Sequence, residues 1–380
     1  MRQNLWISFF IALFFVVSNL TVNGQASDVD DAFKLEIDGL LVNLQQAKGN
    51  VQRVVALNQL AEALSDSDPE RALAYARQAL NISLRNDLDR GTAMALYNYG
   101  LVNQYENKIP NALNYFYKSI ALSDNFNDKL PSAKASLQIA RLYYQMKDRE
   151  EALYYYRKAS GYLRSIDRPL YATSENETGD IFFALDSLGE ALRHYENVIQ
   201  YRRYLESEML IHANERAGEI FMRQKKYTPA LRRFSANLDL LSQLGDTARL
   251  AVICMKTGEA LLKLHQQKKA IEYFNRCITL SDTITNLPAK AKSYEYIGNL
   301  SWYVDSSMMA IDYLLSALDI RNELISKFPA NKEYNQELGQ LYNTLGLYMD
   351  SLGFHQRAIE YLTKGFDMGK KLHSAELVKR

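Results

Sequence analysis

The sequence predicts an all-α solenoid, about eight antiparallel helix pairs stacked in series. Three observations predict it. An alanine returns at Ala72, Ala112, Ala152, Ala191, Ala230, Ala270, Ala310 and Ala358, with gaps of 40, 40, 39, 39, 40, 40 and 48 residues. A second small residue precedes it by twelve positions (eleven in the first unit): Ala61, Gly100, Ala140, Gly179, Gly218, Gly258, Gly298 and Gly346. Proline is scarce, 7 in 380 residues, so long helices are permitted nearly everywhere. Self-similarity at a fixed period marks a repeat architecture, which can run to this length as one body.

The alanine belongs to the second helix of each pair. Segments such as RALAYARQAL at 71–80, NALNYFYKSI at 111–120 and KAIEYFNRCI at 269–278 place apolar residues at i, i+1, i+4 and i+8. Those positions form one face of an α-helix. The i+4 residue is Ala76, Phe116, Tyr156, Tyr195, Phe234, Phe274, Leu314 or Leu362. The small residue belongs to the first helix. Six of the chain's 17 glycines fall there, too many for coincidence. Glycine inside a helix costs ~1 kcal/mol relative to alanine. A close helix crossing offsets that cost, and a bulky residue at the crossing would cost ~1–3 kcal/mol.

Short polar stretches such as YENKI, QMKDR and RQKKY turn each first helix into its second. Longer loops such as SDNFNDKLPS and DTITNLPAK, with Asp, Asn and Pro, separate the pairs. The array spans 51–373, after a lead-in or capping helix over 27–50. SAELVKR at 374–380 reads as the frayed start of a ninth first helix.

The first 26 residues read as a signal peptide: Arg2, an apolar run from Leu5 to Val17, and small residues offering cleavage after Gly24 or Ala26. The run is shorter than the ~20 residues of a standard membrane span. An uncleaved inner-membrane anchor is the alternative; otherwise the protein is periplasmic or secreted.

Forty-five basic residues face 44 acidic ones, for a net charge of +1 and no block of like charge. That argues against nucleic acid, whose binders carry a basic excess. There is no dinucleotide fingerprint, no P-loop and no His-Glu-x-x-His. His194, His212, His265, His355 and His373 are scattered without metal-ligand spacing. Cys254 and Cys277 read as buried free thiols without a local His or Asn partner. No catalytic residue, metal or cofactor is expected.

A small residue, an aromatic or Leu three positions on, then Ala-Leu-x-x-Tyr/Phe resembles the tetratricopeptide signature, although the period is 39–40 residues instead of 34. The resemblance implies a right-handed superhelix whose concave groove, lined by first helices, binds a protein or peptide. The opening unit, LNQLAEALSDSDPERALAYARQAL, is similar to the periplasmic sensor region of Bacteroidetes tetratricopeptide histidine kinases and transcriptional regulators, whose output domain this sequence lacks.

By the same resemblance, groove positions lie three residues before, one after and four after the small residue. They are Asn58 and Glu62; Tyr97 and Gln104; Arg141 and Tyr144; Asn176, Asp180 and Phe183; Glu215 and Glu219; Met255 and Glu259; Glu295, Asn299 and Trp302. The middle carboxylates suggest a cationic or aromatic-rich peptide. Arg141→Ala and Trp302→Ala are expected to weaken partner binding and leave folding intact. The leading reading is therefore an exported scaffold, with a sensing role in a signalling system. An envelope assembly factor, and an enzyme with scattered site residues, are the alternatives.

Overall fold

The structure is a computed structural model that describes residues 25–126, 128–284, 286–303 and 306–372. Residues 1–24 of the expected leader, His373 and the expected frayed segment 374–380 lie outside the described residues. Among the described residues there are 17 α-helices, one 3-10 turn and no strand. A single helix, α1 (Gln25–Gln46), leads in. Eight pairs follow: α2 (Asn50–Ala63) with α3 (Pro69–Arg85), α4 (Asp89–Tyr105) with α5 (Ile109–Ser123), α6 (Leu130–Gln145) with α7 (Arg149–Ile166), and α8 (Arg168–Ala184) with α9 (Leu188–Gln200). Then come α10 (Ser207–Arg223) with α11 (Tyr227–Leu244), α12 (Thr247–Lys263) with α13 (Gln267–Ile284), α14 (Leu287–Tyr303) with α15 (Ser307–Lys327), and α16 (Lys332–Ser351) with α17 (His355–Leu372).

The periodicity suggests one continuous array, but the chain divides into two compact units, Met1–Met209 and Leu210–Arg380. The division follows the 3-10 turn at Arg202–Tyr204 and an extended Leu205, an interruption that the repeat spacing does not announce. Within each unit the helices pack in chain order. First helices of neighbouring pairs also touch, α2 with α4, α4 with α6, and α12 with α14.

The glycine register is the fastener of six of the eight pairs. A Cβ built on Gly100 would lie 2.4 Å from Phe116, on Gly218 2.4 Å from Phe234, and on Gly258 2.5 Å from Phe274. On Gly179 it would meet Tyr195 at 2.8 Å, and on Gly346 it would meet Leu362 at 2.6 Å. The missing side chain is therefore filled by the i+4 residue of the partner helix. Phe116, Phe234 and Phe274 are at most 1% exposed as a result. Pair one carries Ala61 and Ala76 at the corresponding positions, both fully buried.

The turns within pairs use a backbone device that the sequence does not advertise. Asn107, Lys147, Asp186, Lys225, His265 and Gly353 all have positive φ, between 52° and 82° for the positive-φ set. The next residue donates its N–H back over the helix end, as from Lys108 to Asn103 O at 2.8 Å, Asp148 to Tyr143 O at 2.9 Å and Lys226 to Phe221 O at 2.8 Å. This left-handed cap satisfies a carbonyl that the helix end would otherwise leave orphaned. Helix starts are capped by side chains where Asp or Asn stands: Asp148 accepts from Glu151 N, Asp167 from Leu170 N and Asn331 from Tyr334 N.

Both thiols are free and buried, as the sequence suggested. Burial pushes Cys254 up to about 12 and raises Cys277, which suits packing and disfavours a nucleophilic thiolate.

Candidate binding surface on the first helices

The candidate surface is the row of first helices, considered separately within each unit. In unit one its residues are already bound to one another. Asn58 is 4% exposed; its amide donates to Gly91 O at 3.1 Å, and it accepts from Asn98 at 3.0 Å. Tyr97 is 3% exposed, with its hydroxyl 3.4 Å from Glu62. Glu62 also receives Lys134 at 2.7 and 2.9 Å, so one carboxylate on α2 reaches past α4 to α6. The Lys134 ammonium sits 5.8 Å from the Tyr97 ring centroid.

Arg141 is held by Glu177 in a two-pronged pair, Nη2 to Oε1 at 2.7 Å and Nε to Oε2 at 3.0 Å. Burial works against its charge, but the Glu177 carboxylate outweighs burial and raises the guanidinium's pKa. This revises the expectation for Arg141→Ala. Removing one partner of a buried ion pair leaves the other uncompensated, at ~3–5 kcal/mol, so the substitution would harm folding before binding could be read. Asp180 accepts from Tyr195 at 2.7 Å. Gln104 donates to Gln138 at 3.5 Å, and its own buried oxygen receives no hydrogen bond. Tyr144, Asn176 and Phe183 are half-buried.

Unit two repeats the pattern with different residues. Lys256 bridges Glu215 and Glu219. Burial opposes all these charges; even so, Lys256 is raised by the two carboxylates, and Glu219 is lowered by Lys256 and Arg216. Glu215 and Glu219 are therefore matched from within by Lys256, whereas Asp180 and Glu259 lie against the hydroxyls of Tyr195 and Tyr296. Glu259 lies against Tyr296, whose hydroxyl is pushed up by burial and then by that carboxylate. Glu295 accepts from Arg321 at 2.8 Å. Trp302 stacks on Tyr348 with centroids 3.9 Å apart and planes at 6°, and Tyr348 donates to Asn299 at 3.0 Å. Trp302 therefore packs between pairs as well as facing outward. Met255 is half-buried.

A rule emerges that sequence reasoning missed. The residue one after the small position meets the residue two before the next small position: Arg141 with Glu177, Glu219 with Lys256, Glu259 with Tyr296. Glu177, Lys256 and Tyr296 were absent from the expected set because only outward positions were sought. Complementary types at 36–37 residues' separation were the available signal.

Among the described residues no helix is long and apolar enough to cross a membrane, and no group of three or more His, Cys, Asp or Glu could hold a metal ion.

No curated protein matches the chain. Among solved structures it is similar to the C-terminal part of a TPR repeat-containing protein from Cytophaga hutchinsonii, at 14% identity and a TM-score of 0.48, over 73% of this chain and 97% of that one. It is also similar to the apo form of the quorum sensor NprR from B. thuringiensis, at 15% identity and a TM-score of 0.46, over 90% and 99%. A third is the apo form of RapI, at 13% identity and a TM-score of 0.45, over 74% and 99%. Two family models, each described as a tetratricopeptide repeat, match residues 91–165 and 251–283. With the paired helices and the recurring small-residue crossing they match, they make the chain a tetratricopeptide-repeat protein.

Proposed function

We propose that the chain is an exported scaffold whose first-helix faces bind an uncharged, aromatic- or amide-bearing segment of a partner protein. Its apolar, Arg2-led N-terminus supports export to the periplasm or outside the cell. A sensing role, with the bound segment as signal, follows from the likeness of its opening unit to periplasmic sensor regions.

One observation carries the ligand class. The charges on the first helices engage one another, as in Glu62 with Lys134, Arg141 with Glu177, and Lys256 with Glu215 and Glu219. A charged ligand would have to break pairs that are already formed and partly desolvated. Rings and amides such as Tyr144, Gln104 and Gln138 offer contacts without that cost. Aromatic groups dominate protein interfaces for the same reason.

The test is affinity capture from the native envelope with the chain lacking residues 1–26, followed by titration of the recovered partner at low and high salt. Binding should change little with salt, and Tyr144→Ala with Gln104→Ala should weaken it. A steep salt dependence, or indifference to both substitutions, would overturn this reading.

A further inference from the structure

The turn edges of the two units differ in charge. The helices of each pair are antiparallel, so the turns that join them line one edge of their unit. In unit one, acids open three of the four second helices: Glu70 in α3, Glu150 and Glu151 in α7, and Glu190 in α9. In unit two no second helix has an acid in its first turn. Lys225 and Lys226 stand before α11, Lys263 ends α12, and Lys268 and Lys269 lie in the first turn of α13. All five are exposed, and among the described residues no ion pair engages them. Cations at a helix N-terminus oppose the helix dipole. Lys226, Lys268 and Lys269 are therefore placed against local stability, with no counter-charge inside the chain.

The same edge of unit two continues as apolar surface. Met308 and Met309, in the first turn of α15, are 62% and 54% exposed, and Phe354, just before α17, is 46% exposed. Asp350, in the last turn of α16, is already engaged by the His355 ring at 2.7 Å. Unit one also exposes apolar turn residues, Met146 at 48% and Leu185 at 40%, but beside Asp148 and Asp186.

We propose that the turn edge of unit two docks on an anionic lipid bilayer, with its lysines against the headgroups and Met308, Met309 and Phe354 at the acyl boundary. Cations and exposed apolar groups on one edge are what such a surface takes: anionic lipid attracts each lysine, and apolar burial adds to it. A neutral bilayer would leave the lysines unmatched. Nucleic acid would match the lysines and leave two methionines and a phenyl ring in water. The edge is separate from the first-helix faces, so the docking does not depend on what those faces bind.

The test attaches an environment-sensitive fluorophore to the whole chain through Met308→Cys; Cys254 and Cys277 are 0% exposed and stay unlabelled. Vesicles of equal phosphatidylglycerol and phosphatidylcholine should shift its emission to the blue, and phosphatidylcholine alone should not. The same dye at Met146→Cys, on the acidic edge of unit one, should not respond, which separates this contact from insertion of the apolar N-terminus. Lys225→Glu with Lys226→Glu, and Lys268→Glu with Lys269→Glu, should each weaken the response about tenfold or more in vesicle concentration. Added salt should weaken it too. All four lysines are exposed, so circular-dichroism melts should match or exceed the parent. No shift at Met308, an equal shift at Met146 or on phosphatidylcholine, or indifference to both lysine pairs overturns the proposal. So does an equal response to double-stranded DNA or poly-glutamate, since the edge would then take any polyanion.

Discussion

Two buried polar clusters, one in each unit, solve the same problem in opposite ways. In unit one Glu175 is 5% exposed and collects neutral or proton-sharing donors: His194 Nδ1 at 3.0 Å, Asn197 at 2.7 Å and Ser160 at 3.0 Å. Phe182 stacks on the imidazole with ring centroids 5.5 Å apart. In unit two Arg321 is 1% exposed and lies between the carboxylates of Glu295 and Glu337, with Lys292 beside them. One cluster surrounds an anion on α8 with donors from α7 and α9. The other places a cation from α15 between anions on α14 and α16.

The difference shows in the acid groups. Burial alone would raise Glu175, but hydrogen bonds from His194, Asn197 and Ser160 hold it below the usual carboxylate range. Burial raises Glu337, and Arg321 and Lys292 offset only part of that. A buried anion is therefore comfortable when several short-range donors share it. It is less so when two anions share one buried guanidinium and a more distant ammonium.

The sharpest way to break the comparison is Arg321→Ala. It leaves Glu295 and Glu337 with only the more exposed Lys292 beside them and should cost ~3–5 kcal/mol in chemical denaturation. A loss below ~1 kcal/mol would mean that the cluster is not holding α14, α15 and α16 together. Next in size are Gly100→Leu and Gly218→Leu. If the clusters differ while the pairing beneath them is the same, both should destabilise, each by ~1–3 kcal/mol or more, because each would drive a side chain into a phenyl ring. An unchanged melt for either removes the close-crossing argument in that unit.

The smallest effect is the most discriminating. Glu175 has a folded pKa below its unfolded value of ~4.3, so its contribution is present above that pH and lost as pH falls through the folded value. Glu337 has the opposite sign: its raised value costs stability at neutral pH, and protonation relieves that cost as pH falls. Relative to the parent, Glu175→Gln should therefore lose less stability on acidification to about pH 4, and Glu337→Gln should lose more. Equal acid responses would show that the two carboxyls are not differently held.

The sequence disclosed the fold because burial leaves a compositional trace. A glycine forced by a ring, such as Gly258 under Phe274, recurs with the ring at Gly100, Gly179 and Gly218. The break after Met209 left no such trace, since the repeat spacing runs through it unchanged. Neither did the left-handed turn residues: Lys147, Lys225 and His265 are held by backbone hydrogen bonds that any side chain permits. On the first helices the sequence named Arg141, Glu219 and Glu259 and missed what they face. Knowing which residues point outward does not say which pairs of them meet; that depends on how far one helix is rotated against the next.

The glycine and the ring or leucine that fills it stand sixteen positions apart within a single hairpin, from Gly100 with Phe116 to Gly346 with Leu362. Each hairpin thus inherits both halves of its own clasp. A duplication or loss of one whole hairpin would carry that clasp along undamaged. The cross-hairpin partnerships, such as Arg141 with Glu177, would have to be matched afresh. Length is therefore the cheaper thing for this architecture to change, and the order of its neighbours the dearer.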